Sequence, residues 1–195
     1  VSESADPYVY PGTTTLRNRL GLTGAADLDR IERLYVSDRI TQPMPRGSFD
    51  LAHLRAIHRH LFQDVYDWAG ELRTIEISKG GQQFQFRQFI PTGMADVHRR
   101  LVRSRFLSGL APAEFAAQAA VIIGDTNYVH PFREGNGRTQ LQYLKQLAGG
   151  AGHSLDLAKF AGPQWLAASM SSHAADYGPM TAAIAQALEP RPDRR

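Results

Sequence analysis

Residues 130 to 138 read His-Pro-Phe-Arg-Glu-Gly-Asn-Gly-Arg, and this is the stretch whose residue types and spacing can do chemistry. His130 is the one member that titrates near neutral pH, which makes it a candidate general base. Gly135 and Gly137 bracket Asn136. Three successive residues that tolerate unusual dihedrals form a tight turn, and their N–H groups converge just ahead of a helix start. Such a nest binds anions, because unpaired N–H groups and the helix dipole both favour negative charge. Arg138 falls in the first helical turn, where a cation opposes the dipole unless an anion lies beside it. A phosphate is the anion this suggests. Glu134 would repel that ligand, and Mg²⁺ bridging carboxylate and phosphate resolves the conflict. Phe132 alternates with polar neighbours and is expected to anchor the loop in the core.

Other phosphate motifs do not fit. The Walker pattern needs Gly-Lys-Ser/Thr, and the dinucleotide fingerprint needs a third glycine and a preceding strand. A lone Gly-x-Gly is usually only a turn. Nine contiguous residues combining base, aromatic anchor, carboxylate, nest and arginine argue for a site.

The loop must be positioned by what flanks it, and the flanking patterns are helical. Pro112 suits a first turn, and Ala113 to Ile123 is apolar on several sides, so a helix over Pro112–Asn127 is expected to be central. A second helix is expected over Gly137–Ala148, ended by Gly149-Gly150. Further helices are expected over Asp27–Tyr35, with Leu28, Ile31, Leu34 and Tyr35 as its apolar stripe, and from a Ser48 or Asp50 cap to about Tyr66. Thr92–Leu107, Gln164–Asp176 and Met180–Leu188 complete the set. Pro7 to Thr15 reads as an extended entry. The exception to helix is Asp67 to Pro91. Arg73 to Ile77 alternates, Gly80-Gly81 gives a turn, and Phe84-Gln85-Phe86 alternates again, which predicts a short β-hairpin lying on the helical body. The fold class is therefore all-α with one small hairpin. The 195 residues are read as a single domain, ordered over about 7–188, with Val1–Asp6 and Glu189–Arg195 expected to fray.

Composition narrows the function classes. With no cysteine in the chain, disulfides, thiolate zinc sites and cysteine nucleophiles are excluded together, and a cytoplasmic setting is expected. A net charge of +3 is spread over basic residues interleaved with acids, which reads as a solvated surface with no direct nucleic-acid binding. No apolar run suits a membrane span. His53, His58, His60, His98, His153 and His173 lie outside acid or glycine context and are read as packing residues, as are Trp165 and Tyr177.

The nine-residue run resembles the signature of the Fic (filamentation induced by cAMP) family, His-x-Phe-x-Asp/Glu-Gly-Asn-Gly-Arg-x-x-Arg, and matches its first nine positions. Tyr10 to Leu16, the Trp68-Ala69-Gly70-Glu71-Leu72-Arg73 run and the hairpin extend the likeness over most of the chain. The resemblance implies a protein adenylyltransferase that moves AMP from ATP to a hydroxyl side chain (Tyr, Thr or Ser) of a target protein. It implies that His130 deprotonates the hydroxyl, Glu134 holds Mg²⁺, Asn136 meets the α-phosphate, the amides of Gly135 and Gly137 cradle phosphates, and Arg138 binds the β-phosphate. Ile75, Glu76, Ile77, Phe84, Gln85 and Phe86 correspond to the flap that docks the target by strand addition. Gly137 stands where the phosphotransferase branch carries lysine, which favours AMP transfer. The final arginine of the pattern would fall at Leu141. Losing that charged hydrogen bond costs roughly 1.5–3 kcal/mol of nucleotide binding, so a weakly active nucleotide- or partner-binding module is the alternative, and a different donor is a third reading. No Ser/Thr-x-x-x-Glu-Gly/Asn pattern occurs in the sequence, so inhibition by a separate antitoxin chain is expected, as in the toxin class of the family. The ATPase subunit of DNA gyrase is a target by analogy alone.

Overall fold

The computed structural model describes residues 6–160 and 162–189. Most of the ends expected to fray, 1–5 and 190–195, thus lie outside the described residues. Asp6 and Glu189 lie inside them and are tied down: Asp6 accepts from Arg133, and the Glu189 N–H donates to the Ser154 carbonyl.

Seven α-helices and one two-stranded ribbon make up the described chain: α1 (Ala25–Thr41), α2 (Leu51–Phe62), β1 (Ser78–Lys79), β2 (Gln82–Gln83), α3 (Ile90–Arg103), α4 (Pro112–Val129), α5 (Asn136–Ala151), α6 (Pro163–Ser172) and α7 (Gly178–Ala187). The helical class and the hairpin are as the sequence predicts. Helix α4 is central, with α3, α5, α6 and α7 packed around it. It can be central because small and apolar residues (Ala116, Ala119, Ala120, Ile123, Gly124) cover several faces, so neighbours approach closely on each. Gly124 is one such approach, since a Cβ there would meet the Tyr177 ring at 2.6 Å.

Helix α2 starts at Asp50, whose carboxylate accepts from the His53 N–H at 2.8 Å. It buries Leu54, Ile57, His58, Leu61 and Phe62, with Leu51 half-buried, but stops at Phe62 rather than Tyr66, and Val65 and Tyr66 enter the core from a turn. The third helix ends at Arg103, four residues short of Leu107, in a 3₁₀ turn over 105–107 with positive φ. Helix α6 likewise ends at Ser172, not Asp176.

Three expectations need correction on physical grounds. Helix α1 buries Leu28, Glu32 and Val36, while Leu34 and Tyr35 are exposed. Leu28 of the expected stripe is buried, but Leu34 and Tyr35 are not, because the buried face continues through Glu32, a carboxylate paired with Arg138. Helix α5 runs through Gly149-Gly150 and ends at Gly152, whose φ of 88° makes the left-handed cap. In the hairpin the ladder joins Ser78 to Gln83 and Lys79 to Gln82, nearer the tip than the alternation of Arg73–Ile77 and Phe84–Phe86 suggests. Gly80 and Gly81, at φ 59° and 78°, supply the primed turn that matches strand twist. Below the tip, among the described residues, the Phe84 N–H to Ile77 carbonyl bond is the one further main-chain bond between the strands, since the Gln85 N–H donates to Tyr128 and the Arg87 N–H to the Glu76 carboxylate.

Candidate active site

The loop between α4 and α5 opens onto a cleft of about 1560 Å³, walled by the flap on one side and α6 on the other. His130 caps α4 in the left-handed region at φ 46°, a costly conformation for a side-chain-bearing residue. Its Nδ1 lies 3.0 Å from the Asn127 carbonyl. A carbonyl only accepts, so Nδ1 carries the proton and Nε2 keeps its lone pair. The Phe84 ring stacks on the imidazole with centroids 3.7 Å apart. Burial pulls the His130 pKa down to about 4; the Asn127 bond opposes this, and the Arg73 charge adds to it. At neutral pH the ring is an uncharged base.

Phe132 is fully buried and stacks on His58 at 3.9 Å. His58 accepts from the Gly70 N–H at Nδ1 (2.8 Å) and so donates from Nε2 to the Glu134 carbonyl (3.0 Å). The loop therefore rests on a neutral histidine, whose pKa burial also lowers to about 4. Asn136 braces the loop from the other side. Its amide oxygen accepts from the Phe132 N–H at 3.0 Å, and its amide nitrogen donates to the Phe132 carbonyl at 2.7 Å.

Gly135 precedes α5 at φ 81°, and a Cβ there would stand 2.4 Å from the Phe62 ring. Two independent constraints thus require glycine. Gly137 differs: its φ is helical, and a Cβ would meet nothing within 4 Å. It borders the cleft, as do Glu134, Gly135 and Asn136, so the first turn of α5 presents its free amides there. Glu134 is half exposed, with one oxygen on the Gly135 N–H at 2.8 Å.

Arg138 is placed differently from the other motif residues and is not among those bordering the cleft. Its guanidinium pairs with Glu32 at 2.5 Å, lies 3.6 Å from Glu134, and covers the Phe62 ring. The anion that a first-turn cation requires is supplied from within the chain. Leu141 is half-buried against the core and is also outside the cleft-bordering set.

Of the flap residues, Ile75, Glu76, Ile77 and Phe84 face the cleft, while Gln85 bonds to the Tyr128 carbonyl and Phe86 is exposed away from it. Sequence reasoning missed the opposite wall. Trp165, Leu166, Met170 and His173 of the α6 region border the cleft, and His173 meets Phe84 edge-on. His173 and Trp165 are thus cleft residues rather than packing alone. Tyr177 is a packing residue as read, donating to Asp125. No local pattern in the sequence marks this wall; it is formed only when α6 packs beside α4. Gln140 was missed too; it is buried, borders the cleft beside Gly137, and its Nε2 has no hydrogen-bond partner among the described residues.

The donor set fits a substrate-bridged Mg²⁺. That ion takes one or two carboxylates together with substrate phosphates rather than an all-protein cage. Glu134 is such a carboxylate at the rim of the amide nest, and no group of three His, Cys, Asp or Glu placed to hold a metal ion occurs among the described residues.

The Fic/DOC family profile matches residues 48–148. The chain is 40% identical over 180 residues to the probable protein adenylyltransferase y4lH of Sinorhizobium fredii, covering 92% of this chain and 94% of that one. It is 36% identical to the protein adenylyltransferase VbhT of Bartonella schoenbuchensis, covering 95% of this chain and spanning 39% of VbhT. Among solved structures, BepC of Bartonella tribocorum with bound AMPPNP superposes with a TM-score of 0.86 at 25% identity, covering 95% of this chain and 97% of that one.

Proposed function

The chain belongs to the Fic/DOC family and is a protein adenylyltransferase, and from that premise we propose that it moves AMP from ATP to a serine, threonine or tyrosine hydroxyl of a second protein, laid along the flap. The observation that carries this is the state of His130. Its Nδ1 proton is committed to Asn127, no described residue bonds its Nε2, and burial keeps it neutral beside the first-turn amides of α5, which border the cleft where a phosphate could lie.

In this reading the target hydroxyl gives its proton to His130 Nε2. Its oxygen forms a bond to the α-phosphorus as the bond to the bridging oxygen breaks, and pyrophosphate leaves. The amides of the α5 first turn hold the phosphates, and Glu134 is the residue that would hold Mg²⁺. When bound, that ion offsets charge on the phosphate oxygens. Asn136 and His58 keep the loop in shape from its two sides. The ATPase subunit of DNA gyrase is the first target to try, by analogy alone. A separate antitoxin chain is the regulator assigned in this reading, by analogy with the toxin class of the family.

Leu141 favours a second reading, a weakly active nucleotide-binding module, because this face of α5 brings no cation to the cleft. The test supplies Mg²⁺, cell lysate and ATP labelled at the α- or γ-phosphate, with His130→Ala as control. Protein-bound α-label that disappears in the variant is expected. Transfer of γ-label alone would replace the reading with phosphorylation, and no transfer of either would leave the binding module.

A further inference from the structure

Arg73 closes the Trp68–Arg73 run and enters the flap with its side chain completely buried. Its contacts join three stretches of chain. Nε donates to the His130 carbonyl at 2.8 Å. Nη1 donates to the Ile75 carbonyl at 2.8 Å and to the Glu76 carboxylate at 3.2 Å. Nη2 donates to the Gln85 carbonyl. The Arg73 backbone N–H meets the Pro131 carbonyl at 2.9 Å. One guanidinium thus ties the ascending foot of the flap, its descending foot, and the loop carrying the base.

This is a costly way merely to fill space. A buried cation loses several kcal/mol of hydration, roughly, and an apolar residue of similar volume is often as stabilising. Here most acceptors are neutral carbonyls, with one carboxylate, Glu76, that is itself spent on the Arg87 N–H at 3.0 Å. What the arrangement adds is geometry. The His130 main chain sits in the left-handed region, where the surroundings must hold it, and Arg73 grips its carbonyl. The same planar group fixes both flap feet, which no single apolar side chain could do.

We propose that Arg73 is a positioning residue for the transfer reaction, locking the His130 backbone and the two feet of the flap into one unit so that the base and the target-docking edge keep a fixed spacing. The role assigned to the flap rests on the AMP-transfer reading, but the mechanical coupling does not.

Two variants test it, Arg73→Met and Arg73→Lys, each compared with the unsubstituted protein in three readouts. These are α-label transfer to a protein target, Mg²⁺–ATP binding by calorimetry, and hydrogen exchange at the Phe84, Gln85 and Arg87 amides. The expected result is a loss of transfer of about 100-fold in Met and less in Lys, with a higher KM for the target protein as well as a lower kcat. ATP affinity should stay within about threefold, because the amide nest is untouched. The flap amides should exchange faster while amides in α4 and α5 do not. Transfer within about threefold of the unsubstituted protein, or ATP binding lost in parallel with transfer, would overturn the proposal. If Met does not fold, Lys decides on the same criteria. If the unsubstituted protein moves no α-label, the transfer reading has failed, and exchange still decides the coupling: unchanged flap amides in Lys would sink it.

Discussion

The Glu32 carboxylate on α1 lies 2.5 Å from the Arg138 guanidinium on α5, and the Tyr66 hydroxyl donates to the same carboxylate. Glu32 is buried, whereas Arg138 is about one-third exposed. The first turn of the site helix is therefore braced by a helix more than 90 residues earlier in the chain. Glu32→Ala should cost about 1–3 kcal/mol in urea denaturation, reduced from a fully buried pair because Arg138 reaches water. Glu32→Gln, which keeps a partner for Tyr66, should cost less. Loss of under about 0.5 kcal/mol in the alanine variant would show that the pair is ornamental.

Gly135 and Gly137 should separate stability from function. Gly135→Ala meets both a positive φ and the Phe62 ring, so a loss of about 2–4 kcal/mol is expected. Gly137→Ala meets neither and sits in a helical turn, so its stability should be unchanged or up to about 1 kcal/mol higher. Its methyl group would nevertheless be added in open space at a residue that borders the cleft, where it should hinder a bound phosphate. Thermal melts and ATP titrations of the two variants read this directly: comparable destabilisation, or undiminished ATP binding in Gly137→Ala, contradicts it.

Contiguous chemistry was legible in the sequence because one turn brings it together. His130, Phe132, Glu134 and the glycines needed no tertiary information to be picked out, and α2, α4 and α5 announced themselves by apolar spacing and by Asp50 and Pro112. The failures share a cause. Glu32 and Arg73 look like solvated charges until their partners arrive from residues 138, 130 and 85. Pattern reading assigns charge to the surface, so it missed Glu32 on the buried face of α1 and read Arg73 as part of an alternating strand. His173 and Trp165 belong to the cleft only because α6 folds back over α4, where Asn127 donates to the Ser169 carbonyl. Nothing local marks them.

Phe84 covers one face of the His130 imidazole, and burial is the main cause of that ring's depressed pKa. Phe84→Ala should let water reach the ring and raise its pKa from about 4 toward the ordinary histidine value of roughly 6.5. In the unsubstituted protein, transfer limited by this base should be flat from pH 8 down to about 5. In the variant the acid limb should move upward, so that activity at pH 6 falls relative to pH 8. Ring-proton NMR titration of His130 supplies the independent measure, and an unmoved pKa would rule out Phe84 as a source of that burial.

Beside Asp50 and Asp64, whose hydrogen bonds hold their carboxyls below the usual range, His58 and His130 both contribute to the acid response of the fold. Both have pKa values near 4 in the native chain, because burial disfavours the charged ring, against about 6.5 when unfolded. Between those values the unfolded chain binds protons that the native chain excludes, so stability rises with pH through that window. Above about pH 6.5 the contribution is fully present, and it is lost progressively as pH falls toward 4. From these two groups, unfolding near pH 5 should take up just under two protons, giving a slope of about 2.5 kcal/mol per pH unit in urea-derived stability. His58→Gln should remove about one of the two, while lowering stability at pH 7 through the lost brace on Glu134. A stability curve that stays level from pH 7 to 5 would mean that neither ring is held neutral by the fold.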